Sequence, residues 1–245
     1  MVAVGVRAQT LRVAAAADLQ YAMKAIVGQF EAKTGTQVSV SYGSSGNFRT
    51  QIENGAPFDL FFSADEQYPQ ALMKAGLADA QSLLVYAQGH LVLWAPQSEN
   101  LQLKAKGLQV LRDPRVRKIA VANPEIAPYG RAAITALRNA GLYDALKSKL
   151  VFGENVSQAA QFAESGSAQV GIISLSLTFA GSMKDGECWE IPPDLYPPIQ
   201  QEAVIITASR NKTDAKAFLA FVAGESGRAI LARYGLAPSA LGAKP

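Results

Sequence analysis

Leu11-Arg-Val-Ala-Ala-Ala16 is a short, nearly unbroken apolar run, the pattern of a buried strand. From Leu19 the pattern changes. Leu19, Met23, Ile26, Val27 and Phe30 recur at three- and four-residue steps, which places them on one face of a helix that Thr34-Gly35 ends. Val38, Val40 and Tyr42 then alternate with serines, as in a half-buried strand. Gly43-Ser-Ser-Gly46 is a turn before a short helix marked by Phe48 and Ile52, and residues 59–62 form a third strand. A helix over 67–75 stops at Gly76. Residues 85–95 read as a strong strand interrupted by Gly89, where a chain bends or changes role. Further strands are expected at 118–122, 169–173 and 203–207, with one helical turn at 108–111. Helices are expected at 128–140, 143–149, 156–164, 216–222 and 226–234.

Strands alternating with helices of this length imply mostly parallel sheets covered on both faces, an α/β fold. The middle of the chain begins a second sheet. Residues 10–88 with 208–240 are therefore assigned to one lobe and 89–207 to a second, with a ligand-sized cleft between them. Residues 1–9 are small and apolar, and Val6-Arg-Ala8 before Gln9 suits signal-peptidase cleavage. They read as the residual tail of a signal peptide or as a frayed terminus.

Composition narrows the choices. Of 245 residues, 49% are hydrophobic and 18% charged, the balance of an ordered globular protein. A formal charge of +3, with no basic block, gives no basis for a nucleic-acid partner. With one cysteine, Cys188, no internal disulfide or cysteine-based metal site can form, and His90 is the lone histidine. No apolar run approaches the roughly 18 residues of a membrane-spanning helix.

Candidate chemistry lies at four places where small or backbone-exposing residues follow a strand or open a helix: Ala16-Ala-Asp18, Gly43-Ser-Ser-Gly46, Ala127-Pro-Tyr-Gly130 and Asn155-Val-Ser157. The first N–H groups of a helix have no internal acceptor, and the helix dipole favours negative charge there. Several such ends in one cleft would hold an anion without Lys or Arg. Singly, each has a plainer reading: Ser44 and Ser45 as helix caps, Pro128 as an ordinary first-turn residue, Tyr129 and Val156 as core. A hydrolytic triad of Ser45, His90 and Asp59 has the right residue types, yet no Gly-x-Ser-x-Gly elbow frames Ser45. A larger organic anion would need charged or aromatic anchors, in which these loops are poor.

Taken together, the segments resemble the periplasmic molybdate-binding proteins of bacterial molybdate ABC transporters, which are type II periplasmic binding proteins. The resemblance covers roughly residues 10–237. It is carried by Val13-Ala-Ala-Ala-Ala-Asp-Leu19, Tyr42-Gly-Ser-Ser-Gly46, Gln51-Ile-Glu-Asn-Gly-Ala-Pro-Phe-Asp-Leu-Phe-Phe-Ser-Ala-Asp65, Asn123-Pro-Glu-Ile-Ala-Pro-Tyr-Gly130, Gly153-Glu-Asn-Val-Ser157 and Arg233-Tyr-Gly-Leu236. It implies two α/β lobes joined by crossover strands, with the oxyanion held whole by neutral donors and no cofactor. It also implies a periplasmic monomer that captures molybdate or tungstate and hands it to a membrane ABC permease.

Carried onto this chain, the resemblance assigns a hydroxyl and an amide to Ser45, amides to Tyr129 and Val156, and the first binding loop to Ala17 and Asp18. Ser44 and Ser174 are secondary candidates, and Asp59 and Asp65 organise the lobe without touching the ligand. The chain departs from the family at two positions. Asp18 replaces a neutral donor, so its carboxylate is expected to turn away and cap the helix starting at Leu19 while its backbone N–H donates; facing the ligand, it would have to be protonated itself or would favour a protonated anion such as hydrogenphosphate or hydrogenarsenate. Ser174 stands where many members have a tyrosine, leaving one donor to be made up by the Tyr129 ring hydroxyl or a nearby hydroxyl.

Overall fold

A computed structural model of the protein describes residues 10–236. The expected N-terminal tail at 1–9 and the last residues assigned to the first lobe, 237–240, lie outside it. In chain order the elements are β1 (Leu11–Ala16), α1 (Gln20–Thr34), β2 (Val38–Gly43), α2 (Ser45–Glu53), β3 (Leu60–Ser63), α3 (Gln67–Lys74) and β4 (Leu84–Gly89). Then come β5 (Leu91–Ala95), α4 (Leu103–Lys106), β6 (Ile119–Ala122), α5 (Pro128–Asn139), α6 (Tyr143–Leu146), β7 (Leu150–Gly153), α7 (Val156–Glu164) and β8 (Val170–Ser174). β9 (Glu187–Glu190), β10 (Ile199–Ile205), α8 (Lys212–Ala223) and α9 (Glu225–Arg233) follow.

Two five-stranded sheets result, ordered β2-β1-β3-β10-β4 and β7-β6-β8-β5-β9. Each has a parallel triad, β2-β1-β3 or β7-β6-β8, followed by two antiparallel strands. This is the mixed, mostly parallel α/β architecture expected. Helices cover both faces of the first sheet, which is why β1 and β3 are apolar almost throughout. The edge strand β2 keeps its alternation, with its serines exposed.

The chain leaves the first sheet at Gly89 and enters the second at Leu91. Gly89 allows a close approach: a Cβ there would lie 2.2 Å from the Tyr129 hydroxyl. The return differs from the sequence reading. Residues 199–207 were grouped with the second lobe, but β10 pairs antiparallel with β3 and β4 in the first sheet. An apolar run buried on both faces fits either sheet by pattern; the hydrogen-bond partners decide. The proline-rich stretch at 192–198 is thus the second crossing. Strands β7 and β9, short and partly exposed, were not expected at all.

Helices α8 and α9 return to the first lobe. Phe218, Val222, Ile230 and Leu231 share a core with Leu11, Met23 and Phe30, and the Phe30 and Phe218 rings meet edge-on at 5.0 Å. The second lobe's core, built on Trp94, Val121, Leu137 and Ile172, runs on across the cleft to Ala16, Ala17 and Ala64. The two lobes are therefore packed against each other where the parallel strands of both sheets end.

Candidate functional site

At that junction lies a small cavity of about 10 Å³, lined by Ala16, Ala17, Asp18, Gly43, Ser44, Ser45, Ala64, Ala127, Pro128, Tyr129, Asn155 and Val156. All four candidate segments meet here, at the carboxyl ends of the parallel strands, where open α/β sheets place their ligands. No Lys, Arg or His is among these lining residues.

Three helix N-termini point into this space, α2 from the first lobe and α5 and α7 from the second. Ser44 caps α2, its Oγ accepting from the Asn47 N–H at 3.3 Å, and Asn155 caps α7, its Oδ1 accepting from the Gln158 N–H at 3.0 Å. In α5, Pro128 takes the first position and has no N–H, so the Tyr129 amide is the first donor of that helix. Ser45, Tyr129 and Val156 thus lie in first turns, where an N–H has no acceptor within its own helix. The Ser45 Oγ accepts from the Ala64 N–H at 3.0 Å, which fixes its rotamer and leaves its O–H to donate elsewhere.

Asp18 behaves differently from the expectation that it caps a helix. Neither the 3-10 turn Ala17–Leu19 nor α1 has a side-chain cap bond. Instead the carboxylate is 1% exposed, and its Oδ2 accepts from the Tyr129 hydroxyl at 3.0 Å and the Gln201 Nε2 at 2.6 Å. Among the described residues Oδ1 has no hydrogen-bond partner. Burial pushes the carboxyl up to about 6, against the opposing pull of its Gln201 and Tyr129 hydrogen bonds. The Tyr129 ring hydroxyl is therefore engaged by Asp18, so the reading that it stands in as a spare donor is corrected. Burial pushes that phenol well above its ordinary range, so it stays protonated.

Ser174 is buried but is not among the cavity-lining residues. Its hydroxyl pairs with the Ser176 hydroxyl at 2.8 Å, and Ser176 donates to the Asp18 carbonyl at 2.7 Å, so the two serines buttress the Asp18 backbone. Gln201 was missed by sequence reasoning. Its local signal was weak: β10 opens Ile-Gln-Gln-Glu, and nothing in the sequence marks which of these successive polar residues is buried against a partner.

Further bonds tie the lobes together around the cavity. The Gly46 N–H donates to the Ile126 carbonyl at 2.9 Å, and Asn47 Nδ2 to Glu154 Oε1 at 2.8 Å. Arg131 of α5 pairs with Asp65 and donates to the Tyr68 hydroxyl at 2.9 Å. Asp65 also accepts from the Ser63 hydroxyl and the Tyr68 N–H. Asp59 lies at the far end of the first sheet, accepting from the Arg12 N–H and the Ser209 hydroxyl. His90 pairs with Glu190 at 2.9 Å. Ser45, His90 and Asp59 each have other partners, and the triad is not assembled. A larger groove of about 990 Å³ beside Asp59 is open and holds no convergence of helix N-termini.

Comparison with known proteins agrees with this geometry. A model of the bacterial extracellular solute-binding protein family matches residues 11–237. The molybdate-binding protein ModA of Azotobacter vinelandii is 39% identical over 96% of this chain and 92% of its own. ModA of Rhodobacter capsulatus is 38% identical over 91% of this chain and 86% of its own. The solved structure of the Azotobacter vinelandii periplasmic molybdate-binding protein superposes with a TM-score of 0.87 at 37% identity, covering 92% of this chain and 98% of that one. With its matched length, its two-sheet topology and the cavity between them, the chain belongs to the bacterial extracellular solute-binding protein family.

Proposed function

We propose that the chain is an extracytoplasmic binding protein that captures molybdate or tungstate between its lobes and delivers it to a membrane ABC permease. One observation carries the reading: helix N-termini from both lobes and the Ser45 hydroxyl converge on a single small cavity whose lining includes no cationic side chain. At about 10 Å³ the cavity has room for about one water, so the lobes must part to admit a tetrahedral oxyanion, and the space is far below the roughly 300 Å³ of pockets for drug-sized ligands.

The assigned donors are the amides of Ala17 and Asp18, the amide and hydroxyl of Ser45, and the amides of Tyr129 and Val156. They contact oxyanion oxygens, so the ion is held whole. Each charge-assisted bond contributes about 1.5–3 kcal/mol, and together they replace the hydration shell that closure strips away. Donors fixed by helix geometry cannot rearrange around a smaller ion, so the cage discriminates by size. Ligand then raises the population of the closed form, whose surface a permease can read. No chemistry is performed, and the chain acts as a monomer in the periplasm.

Calorimetric titration with molybdate, tungstate, sulfate and phosphate tests this. Tight one-to-one binding of the first two, with weak or no binding of sulfate, is expected. Clear binding of phosphate without molybdate or tungstate would overturn it.

A further inference from the structure

The neutral cage has one member that is not neutral by nature. Asp18 lines the cavity, its Oδ2 accepts from Tyr129 and Gln201, and its Oδ1 is buried with no partner among the described residues. Both donors to Oδ2 are themselves uncharged, and Gln201 also donates to the Tyr129 hydroxyl at 3.1 Å, which locks the arrangement. A fully ionised carboxylate and a dianion in the same dry space repel each other with little screening.

We propose that Asp18 carries a proton when the oxyanion is bound: its Oδ1–H donates to an anion oxygen, and capture of a dianion takes up one proton from solvent. The proposal rests on the oxyanion reading above and adds the protonation state of that site. No bond within the anion changes; a buffer acid supplies the proton, and Oδ1 becomes the hydrogen-bond donor that the cage otherwise lacks.

Among the described residues no cation pairs with or hydrogen-bonds to the Asp18 carboxylate. On the segments packed against the 3-10 turn, α1 carries Tyr21, Lys24, Glu31 and Lys33, α7 carries Glu164 and β2 carries Tyr42; the turn at 175–179 has no titratable group. None of them hydrogen-bonds to Asp18. From across the cleft α5 brings Tyr129, bonded to Asp18, and Arg131, which pairs with Asp65, while Arg138 stacks on Tyr143. β4 brings Tyr86, whose hydroxyl donates to the Ser63 carbonyl, and β10 brings Gln201 and Glu202, which successive strand positions point to opposite faces. In the free protein the Asp18 carboxyl is already raised to about 6 by burial, so near neutrality it is mostly ionised and has a proton to gain.

The test is titration of the full chain with sodium molybdate at about pH 7.5 in two buffers of different ionisation enthalpy. Close to one proton taken up per ion is expected. Apparent affinity should weaken about tenfold per pH unit above about pH 6.5, because free Asp18 must first be protonated. Asp18→Asn, which keeps acceptors for Tyr129 and Gln201 and presents an N–H to the cavity, should bind with no proton uptake and no pH dependence. Buffer-independent heats with affinity flat from about pH 6.5 to 8.5 would overturn the proposal, whatever the variant does. So would preferential binding of hydrogenphosphate without proton uptake, which would mean that the carboxylate stays ionised and accepts from the ligand. If folded protein bound neither molybdate nor tungstate at any pH, the proposed function itself would fall.

Discussion

The two lobes share one sheet order and yet furnish the cavity in different ways. In each, a parallel triad ends at the cleft and two antiparallel strands complete the sheet. The first lobe brings polar side chains: Asp18, Ser44 and Ser45, all buried. The second brings Tyr129 and Val156, whose side chains are packed in its core, with the Tyr129 hydroxyl reaching Asp18; in the proposed function they offer the ion backbone amides. Side chains can be tuned by substitution, whereas amides at a helix start are fixed by the fold. On the proposed function, selectivity and pH response would therefore reside in the first lobe, with the second a rigid donor surface that closes against it.

That contrast can be broken most severely at the seam. A Cβ on Gly46 would lie 2.7 Å from the Ile126 carbonyl and 2.8 Å from the Tyr68 hydroxyl. Gly46→Ala therefore forces the Ile126 backbone of the second lobe and the Tyr68 side chain of the first to shift, and holds the lobes apart at this seam. Loss of two second-lobe bonds to the ion predicts a fall in affinity of about 100-fold or more. Affinity kept within a few-fold of the parent would show that closure at this seam is not required.

Next in size is Ser45→Ala, which removes one donor to the ion and leaves the buried Ala64 N–H without its acceptor. A loss of about 10- to 100-fold in molybdate affinity is expected, together with a drop in stability of about 1–3 kcal/mol in denaturant titration. A change in only one of the two would separate the hydroxyl's roles.

Asp18 gives a stability signature independent of ligand. Its folded value, about 6, is above the ordinary 3.8, so its ionised form is less favourable in the fold than in the unfolded chain. The associated stability is fully present below about pH 4 and is lost as pH rises through about 6, by about 3 kcal/mol in all. Asp18→Asn is therefore expected to raise the melting temperature by several degrees at pH 8 and hardly at all near pH 4. Equal shifts at both would contradict the burial argument.

The smallest effect on binding is expected in the second lobe. Val156→Ala keeps the amide and removes two core methyl groups, so affinity should stay within about two-fold while stability falls by about 1–3 kcal/mol. A large affinity loss here would mean that the Val156 side chain, not its N–H, shapes the cavity.

Hydrophobic period alone was enough to place β1, α1, β2, β6, α5, α7 and β8, because each has a face or a core that solvent must not reach. The weak strands β7 and β9 carry half-exposed or charged residues and hold their places through neighbours distant in sequence, which no local pattern records. In the same way β10 was legible as an apolar run, but its seat between β3 and β4 was not.

The sequence by itself determined that helix starts with small, donor-rich residues recur along an α/β chain, since capping and periodicity are local properties. Only the tertiary structure decided that these starts meet in one cavity, and that Asp18 turns to Tyr129 and Gln201 instead of capping its own helix. The reason is physical: a buried carboxylate must find donors wherever the fold brings them, and those of Asp18 lie 111 and 183 residues away along the chain.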